Sequence, residues 1–250
     1  MGRESRGAAG RGAYPRVRPC GDTALTIEFG DTVDPDLNAK VLALDAELRA
    51  HPIAGVLETV PTYRSLLVHM DPVIADPAAL AADLLAMAAN PPPAEAGVRR
   101  WRIPVVYGGA FGEDLADVAA RHGLSPSALI DAHCAPVYRV YMIGFLPGFT
   151  YLGGLDPRLA TPRRADPRPL IPASSVIIGG AQAAISSIAG PSGWHLLGRT
   201  PVRPYHPSRD PAFLIASGDE IVFEPIAKDR WRVLDRAAAA GEPVAEMVAS

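Results

Sequence analysis

The feature that most restricts how this chain can fold is its middle: over residues 137–225 no apolar run has helical length or period. Short runs at 176–178, 195–197, 213–215 and 221–223 alternate instead with Gly and Pro turns. Brief apolar segments bounded by chain-reversing residues are strands, and many in succession predict an all-β barrel or sandwich.

The chain ahead of this region has another rhythm. Leu25, Ile27 and Phe29 alternate with polar residues, as in a half-buried strand. Asp34 and Pro35 provide an N-cap and a first-turn proline, and Leu37, Val41, Leu44 and Leu48 follow at helical spacing. Two β-rich runs, 55–62 and 65–70, predict a hairpin, and Asp76 with Pro77 opens a second helix ending near Asn90. If 101–107 returns as a strand, the order closes as a split βαβ, ferredoxin-like domain. Pro91, Pro92 and Pro93 read as a stiff linker. Two short helices are expected after Gly112, one led by Asp114 and one begun by Ser125 and Pro126. The expectation is an α+β protein with a disordered tail (1–19), a ferredoxin-like domain (20–98), a β-barrel domain (99–235) and a C-terminal tail or short helix (236–250).

A chain of 250 residues is long enough for two cores, and 48% hydrophobic against 20% charged residues is a globular composition. Net charge of −3 gives no footprint for a phosphate backbone, so nucleic acid is not an expected partner. Arg3, Arg6, Arg11, Arg16 and Arg18 form one basic cluster in a Gly/Ala-rich start that reads as tail. No run has transmembrane length and the start lacks a secretory apolar core, which predicts a cytoplasmic protein without membrane contact. Cys20 and Cys134 are too few for a disulfide framework and fit a reducing compartment. The six histidines have no close ligand spacing, and no metal site is expected.

Phosphate-loop, dinucleotide, HExxH and GxSxG signatures are absent, which disfavours a self-contained nucleotide enzyme. The candidate working surface is 138–201. Its first part, 138–155, sets Tyr138, Tyr141, Phe145, Phe149 and Tyr151 among glycines and Pro147, a pattern that shapes an apolar wall or a turn-rich core segment. Arg163, Arg164 and Arg168 follow, each near a proline that stiffens the backbone. Rigid guanidinium groups suit carboxylate or phosphate recognition, and a solvated basic loop is the plainer alternative. Residues 171–182 then add Ser174, Ser175 and Gln182 beside Gly179 and Gly180, components of an anion or oxyanion site. Trp194 and Arg199 offer a stacking face and another fixed charge.

In order, these segments resemble the family that contains the B-type component of bacterial 5-oxoprolinase, the kinase A inhibitor KipI and allophanate hydrolase subunit 1, the carboxyltransferase domain with subdomains C and D. The resemblance runs from Glu28-Phe-Gly-Asp31 through Val60-Pro-Thr-Tyr-Arg-Ser65 and Ile103-Pro-Val-Val-Tyr-Gly-Gly109 to Gly218-Asp-Glu-Ile-Val-Phe223. Its most specific part is Ile143-Gly-Phe-Leu-Pro-Gly-Phe-Thr-Tyr-Leu-Gly-Gly-Leu155, followed by Pro162-Arg163, Pro167-Arg168 and Gly198-Arg-Thr-Pro201.

The resemblance implies a cyclophilin-like barrel behind the small N-terminal domain. It also implies a companion carboxyltransferase-type subunit, like the C-type component of 5-oxoprolinase, with a protein like its A-type component as a further partner. The activity implied is an ATP-dependent complex that opens the 5-oxoproline lactam to glutamate, with ATP handled by a partner or at a shared interface. Alternatives within the family are inhibition of a sensor kinase and urea or allophanate carboxyl transfer, which needs biotin brought by another chain. By the same resemblance, His133, Arg168 and Gln182 are candidate catalytic residues, and Phe145, Phe149, Tyr151, Arg163, Ser175 and Arg199 candidate substrate-binding ones. The sequence departs from the family pattern at Pro172-Ala-Ser-Ser-Val176, Gln182-Ala-Ala-Ile-Ser-Ser187 and Gly190-Pro-Ser-Gly-Trp194, where the family has Pro-Ala-Gly-Ser-Val, Gln-Thr-Gly-Ile-Tyr-Pro and Ser-Pro-Gly-Gly-Trp. These losses of glycines, a Thr and a Tyr imply an altered substrate or lost catalysis.

Overall fold

A computed structural model describes residues 13–90 and 97–249, and the chain divides into two units, 1–95 and 96–250. The proline-rich linker and Arg3, Arg6 and Arg11 lie outside the described residues.

The first unit is built from β1 (Arg16–Pro19), β2 (Ala24–Glu28), α1 (Pro35–Ala50), β3 (Val56–Pro61), β4 (Ser65–Met70) and α2 (Pro77–Ala89). The Asp34 carboxylate caps α1 by accepting from Asp36 N and Leu37 N, and Asp76 caps α2 through Ala78 N. The apolar faces of both helices, with Val41, Leu44, Leu48, Leu80 and Leu84, pack in one core with Ile27, Leu66 and Val68 of the sheet.

The sheet order is β1-β2-β4-β3 with antiparallel neighbours, a ferredoxin-like split βαβ. Its outer strand corrects two expectations. The 1–19 tail is not all tail, because β1 pairs with β2 from Arg16 opposite Glu28 to Pro19 opposite Leu25. Glu28 accepts from Arg16 Nε at 2.5 Å and Arg18 Nε at 3.1 Å, while Val17 packs on the core. A count of charges conceals this alternation. The edge place expected for 101–107 is therefore taken by β1.

The second unit contains β5 (Arg100–Tyr107), α3 (Leu115–Arg121), α4 (Pro126–Cys134), β6 (Tyr138–Ile143), β7 (Thr150–Gly153), β8 (Arg168–Ile171), β9 (Ser175–Gly179), β10 (Gln182–Ser186), β11 (Gly190–Ser192), β12 (His195–Arg199), β13 (Glu220–Pro225), α5 (Lys228–Ala239) and β14 (Glu246–Val248). Strand β5 is buried on both faces, which the edge of a one-sided sheet cannot satisfy. It pairs in parallel with β13 over six positions, Arg100 to Val105.

The strand sequence β12-β9-β10-β7-β6-β13-β5 returns to β12 through Gly198 opposite Tyr107 and Arg199 opposite Val106. Among the described residues this is a closed seven-stranded barrel, the cyclophilin-like half of an α+β fold. Tyr138, Val140, Leu152, Val176, Ile178, Ala183, Ile185 and Ile221 share its core with residues of α3 and α4.

The C-terminal expectation is also corrected. Helix α5 begins ahead of 236 and ends before Gly241, whose φ is +94°, and β14 then adds to the start of β5. Residues 213–215 form no strand; Phe213 makes an isolated bridge to Tyr205. Among the described residues no helix is long and apolar enough to cross a membrane.

Candidate functional site

Alternation along the barrel strands sends one set of side chains inward and leaves a second set outside. On the outer face Ile177, Ala184, Phe149, Trp194 and Leu196 form an apolar cluster with Ile171, with Leu146 and Tyr151 packed against it. Among the described residues strands β8 and β11 pair only with each other and form a small separate sheet, which contributes Ile171 to that cluster.

Between this layer and the 144–149 loop is an open cavity of about 320 Å³. It is lined by Phe145, Phe149, Tyr151, Arg163, Arg164, Pro167, Pro191, Ser192, Gly193 and Trp194. Its aromatic rings stand edge to face: Phe145 to Phe149 at 5.6 Å, and Phe149 and Tyr151 to Trp194 at 6.4 and 6.1 Å. Phe145 sits in the left-handed region, φ 68°, and is 63% exposed at the rim. Gly148 is required behind it, since a Cβ there would lie 2.7 Å from that of Tyr205.

The Arg163 guanidinium lies over the Trp194 ring, 5.5 Å from its centroid, and has no ion pair among the described residues. Burial pushes the Tyr151 hydroxyl above its ordinary pKa, and the charge of Arg163 partly opposes that rise. The cavity thus presents flat apolar surfaces and an available cation, a combination suited to a small ring that carries a carboxylate.

Arg164 and Arg168 are held differently. Arg168 Nη1 and Nη2 donate to the two oxygens of Asp114 at 2.7 and 2.8 Å, and Arg164 Nη1 donates to Asp114 Oδ1 at 3.2 Å. Leu196 N also donates to Asp114 Oδ2, at 2.7 Å. Burial alone would raise the pKa of Asp114, but the bonds from Arg168 and Leu196 and the charge of Arg164 hold it below the usual carboxylate range. Asp114 stands at the cap position of α3 yet makes no capping bond, because its carboxylate is turned toward the arginines. Sequence reading finds the helix start and misses this hub: the Arg residues lie some fifty positions away, |i−j| of 50 and 54.

Of the nine candidate site residues, the structure brings Phe145, Phe149, Tyr151 and Arg163 together in the cavity. Arg168 is not in the lining; it is held in the ion pair with Asp114. Gln182 starts β10 on the same strand face as Ala184 but does not line the cavity.

Ser175 and Arg199 are paired across β9 and β12 at another place. Ser175 is fully buried and donates to the Pro172 carbonyl at 2.6 Å. Arg199 Nε donates to Ala173 O at 3.2 Å, and its guanidinium lies 5.5 Å from the Trp231 ring of α5. Burial lowers the Arg199 pKa, partly countered by Asp235.

His133 does not line the cavity either. It is fully buried among Tyr138 and Phe223, with Nδ1 2.8 Å from the Tyr107 hydroxyl and Nε2 without a partner among the described residues. Burial lowers its pKa to about 3, which keeps it neutral and inside the core. Among the described residues no group of three His, Cys, Asp or Glu side chains is placed to hold a metal ion.

The family model "Carboxyltransferase domain, subdomain C and D" matches residues 15–215, a span that includes the whole cavity. The chain belongs to this family. Among family relatives, the B-type component of 5-oxoprolinase from Bacillus subtilis (strain 168) is 38% identical over 234 residues, 85% of this chain and 93% of the relative. The solved structure of TTHA0988 is 37% identical with a TM-score of 0.74; it matches 84% of this chain, which spans only 40% of that longer protein. The urea amidolyase of K. lactis matches 94% of the chain at a TM-score of 0.77, with 16% of its own length covered, and at 18% identity that likeness concerns the fold.

The departures from the family pattern fall at particular places in the barrel unit. Ser174, where the resemblance implies a glycine, has φ 58° and donates to Val202 O at 3.0 Å. Ala184 lies in the apolar cluster under the cavity, and Ser192 is in the cavity lining, where its hydroxyl accepts from Trp194 N at 3.0 Å.

Proposed function

We propose that this chain is the substrate-orienting component of an ATP-dependent 5-oxoprolinase-type complex, working in the cytoplasm, that opens the 5-oxoproline lactam to glutamate. The observation that carries the reading is Arg163 over Trp194 in a cavity of about 320 Å³ walled by Phe145, Phe149 and Tyr151. A five-membered lactam with one carboxylate meets those features: the carboxylate pairs with Arg163, and the ring lies against the aromatic surfaces. Relatives named as the B-type component of 5-oxoprolinase, matched along most of their length, support the same substrate class.

A name of that kind also supports assembly with other chains, here a C-type carboxyltransferase companion and an A-type protein. One unpaired guanidinium in this cavity does not fit a triphosphate, which calls for several cations at once. In this reading ATP is therefore engaged by the companions. Ring opening breaks the lactam C–N bond: one water supplies oxygen to the carbonyl carbon and protons to oxygen and nitrogen, and in the ATP-dependent reaction a second water is consumed as the companions cleave ATP to ADP and phosphate. Within that reaction this chain binds and orients the ring.

Co-expression with companions of the A and C types, followed by an assay for glutamate released from 5-oxoproline with and without ATP, tests the proposal. ATP-dependent release that requires this chain is expected. A stable three-component complex that releases no glutamate overturns it.

A further inference from the structure

Arg163 and Arg164, from the loop before β8, line the cavity, and Arg168 opens that strand; among the described residues Arg163 alone of the three is without an ion pair. Arg164 and Arg168 converge on Asp114, with Glu113 a further 3.5 Å from Arg168. Asp114 is 4% exposed, so its charge acts on these arginines with little screening by water.

The same carboxylate mechanically fastens the cavity wall. It takes the Leu196 N–H at 2.7 Å, the Asp114 backbone N–H donates to Leu196 O at 3.1 Å, and Arg164 N donates to Gly193 O at 2.7 Å. Leu196 belongs to the apolar cluster that also holds Trp194. Asp114 thereby links the strand beside the cavity's indole to the loop that carries its cation.

We propose that Asp114 is a positioning residue that acts as a charge filter: by engaging Arg164 and Arg168 in ion pairs and fixing the segment that carries them, it leaves Arg163 as the unpaired cation of the cavity and makes the cavity select small monocarboxylates over dianions. The inference rests on the cavity being the ligand site of the proposed function, and it adds which ligands are refused. A ligand with two carboxylates would meet one unpaired guanidinium, because Arg164 in the lining is already engaged by Asp114, and would leave its second charge on apolar rings, where an unpaired charge is costly.

The test uses the isolated full chain and two simple anions, acetate and malonate, with 5-oxoproline as a third ligand. Binding is followed by the indole N–H resonance of Trp194, identified by its disappearance in Trp194→Phe. The wild-type chain is expected to prefer acetate per ligand charge and to take 5-oxoproline. Asp114→Asn leaves both arginines charged without their partner and should shift the malonate-to-acetate affinity ratio about tenfold toward malonate. Arg168→Gln removes a cation while keeping Asp114, so it should shift the ratio the other way. The double variant Asp114→Asn/Arg168→Gln should fall back toward wild type.

A merely structural Asp114 would weaken all anions together and leave the ratio unmoved, and that outcome overturns the filter. So does a wild-type chain whose Trp194 resonance responds to neither simple anion. If Asp114→Asn does not fold, the opposite shift in Arg168→Gln still decides. Failure of the proposed function is distinguishable: there the ratio moves as expected, but 5-oxoproline does not bind.

Discussion

Arg163 carries the sharpest expectation for a single side chain. Its ion pair with a ligand carboxylate would be charge-assisted on both sides and worth about 2 kcal/mol. Under the proposed function, Arg163→Gln should therefore raise the KM of the proposed complex for 5-oxoproline about thirtyfold, with a smaller change in kcat and an unchanged melting temperature. An unaltered KM would remove Arg163 from the site. Ser174 gives a second expectation, on stability. A left-handed φ of 58° is unfavourable for a side chain, and the Ser174 bond to Val202 O offsets that cost. Ser174→Ala keeps the strain and loses the bond, so chemical denaturation should show a loss of about 1 kcal/mol. Ser174→Gly removes both and should leave stability within about 0.5 kcal/mol of the parent.

Two elements of the barrel unit depend on local chemistry. The barrel closes where β12 meets β5 at two residue pairs, and there is no room for a side chain at Gly198: a Cβ would lie 2.6 Å from Val106 O and 2.8 Å from Val105 Cγ1. Gly198→Ala should force the seam apart and cost about 1–3 kcal/mol, measured as a lower denaturation midpoint. Helix α4 places His133 in the core as a neutral imidazole, its pKa lowered by burial from 6.5 to about 3. The unfolded chain binds a proton that the folded one refuses between those values. Stability is thus complete above about pH 6.5 and declines as pH falls toward 3, by up to about 1.4 kcal/mol per pH unit for this group. His133→Asn should flatten the change in urea midpoint between about pH 6 and pH 5. An equally steep profile in that variant would show that other groups govern acid lability.

For the molecule as a whole, the N-terminal segment is a structural part of the first unit. A chain begun at residue 20 would lose β1, expose the edge of β2 and leave Glu28 without Arg16 and Arg18. Its first unit should lose at least about 1 kcal/mol, roughly 4–8 °C in Tm, and the truncated chain should self-associate in sedimentation experiments. A truncated chain as stable and monodisperse as the full one would restore the tail reading. The two units also show how far sequence reading reaches across a whole chain. Asp34-Pro35, Asp76-Pro77 and Ser125-Pro126 open helices where the sequence predicts them, because caps and first-turn prolines act within a few residues. The destination of β5 is not legible in the same way, because its partner β13 lies some 120 residues on, with |i−j| of 120 for the flanking Arg100–Glu220 pair.

Short-range period, capping and motif spacing suffice for the α+β class, the starts of the main helices, the turn-rich strand region and the family resemblance. They also single out Phe145, Phe149, Tyr151 and Arg163, which enter one cavity because a single stretch of chain, 145–163, wraps its rim. Long-range packing was needed to make His133 a neutral core residue and to turn Ser175 and Arg199 elsewhere. Packing likewise makes Asp114 an electrostatic hub: its burial and the convergence of Arg164, Arg168 and Leu196 N on one carboxylate arise when distant segments meet. Residue type announces a charge, but the surroundings that neutralise or expose it exist only after folding.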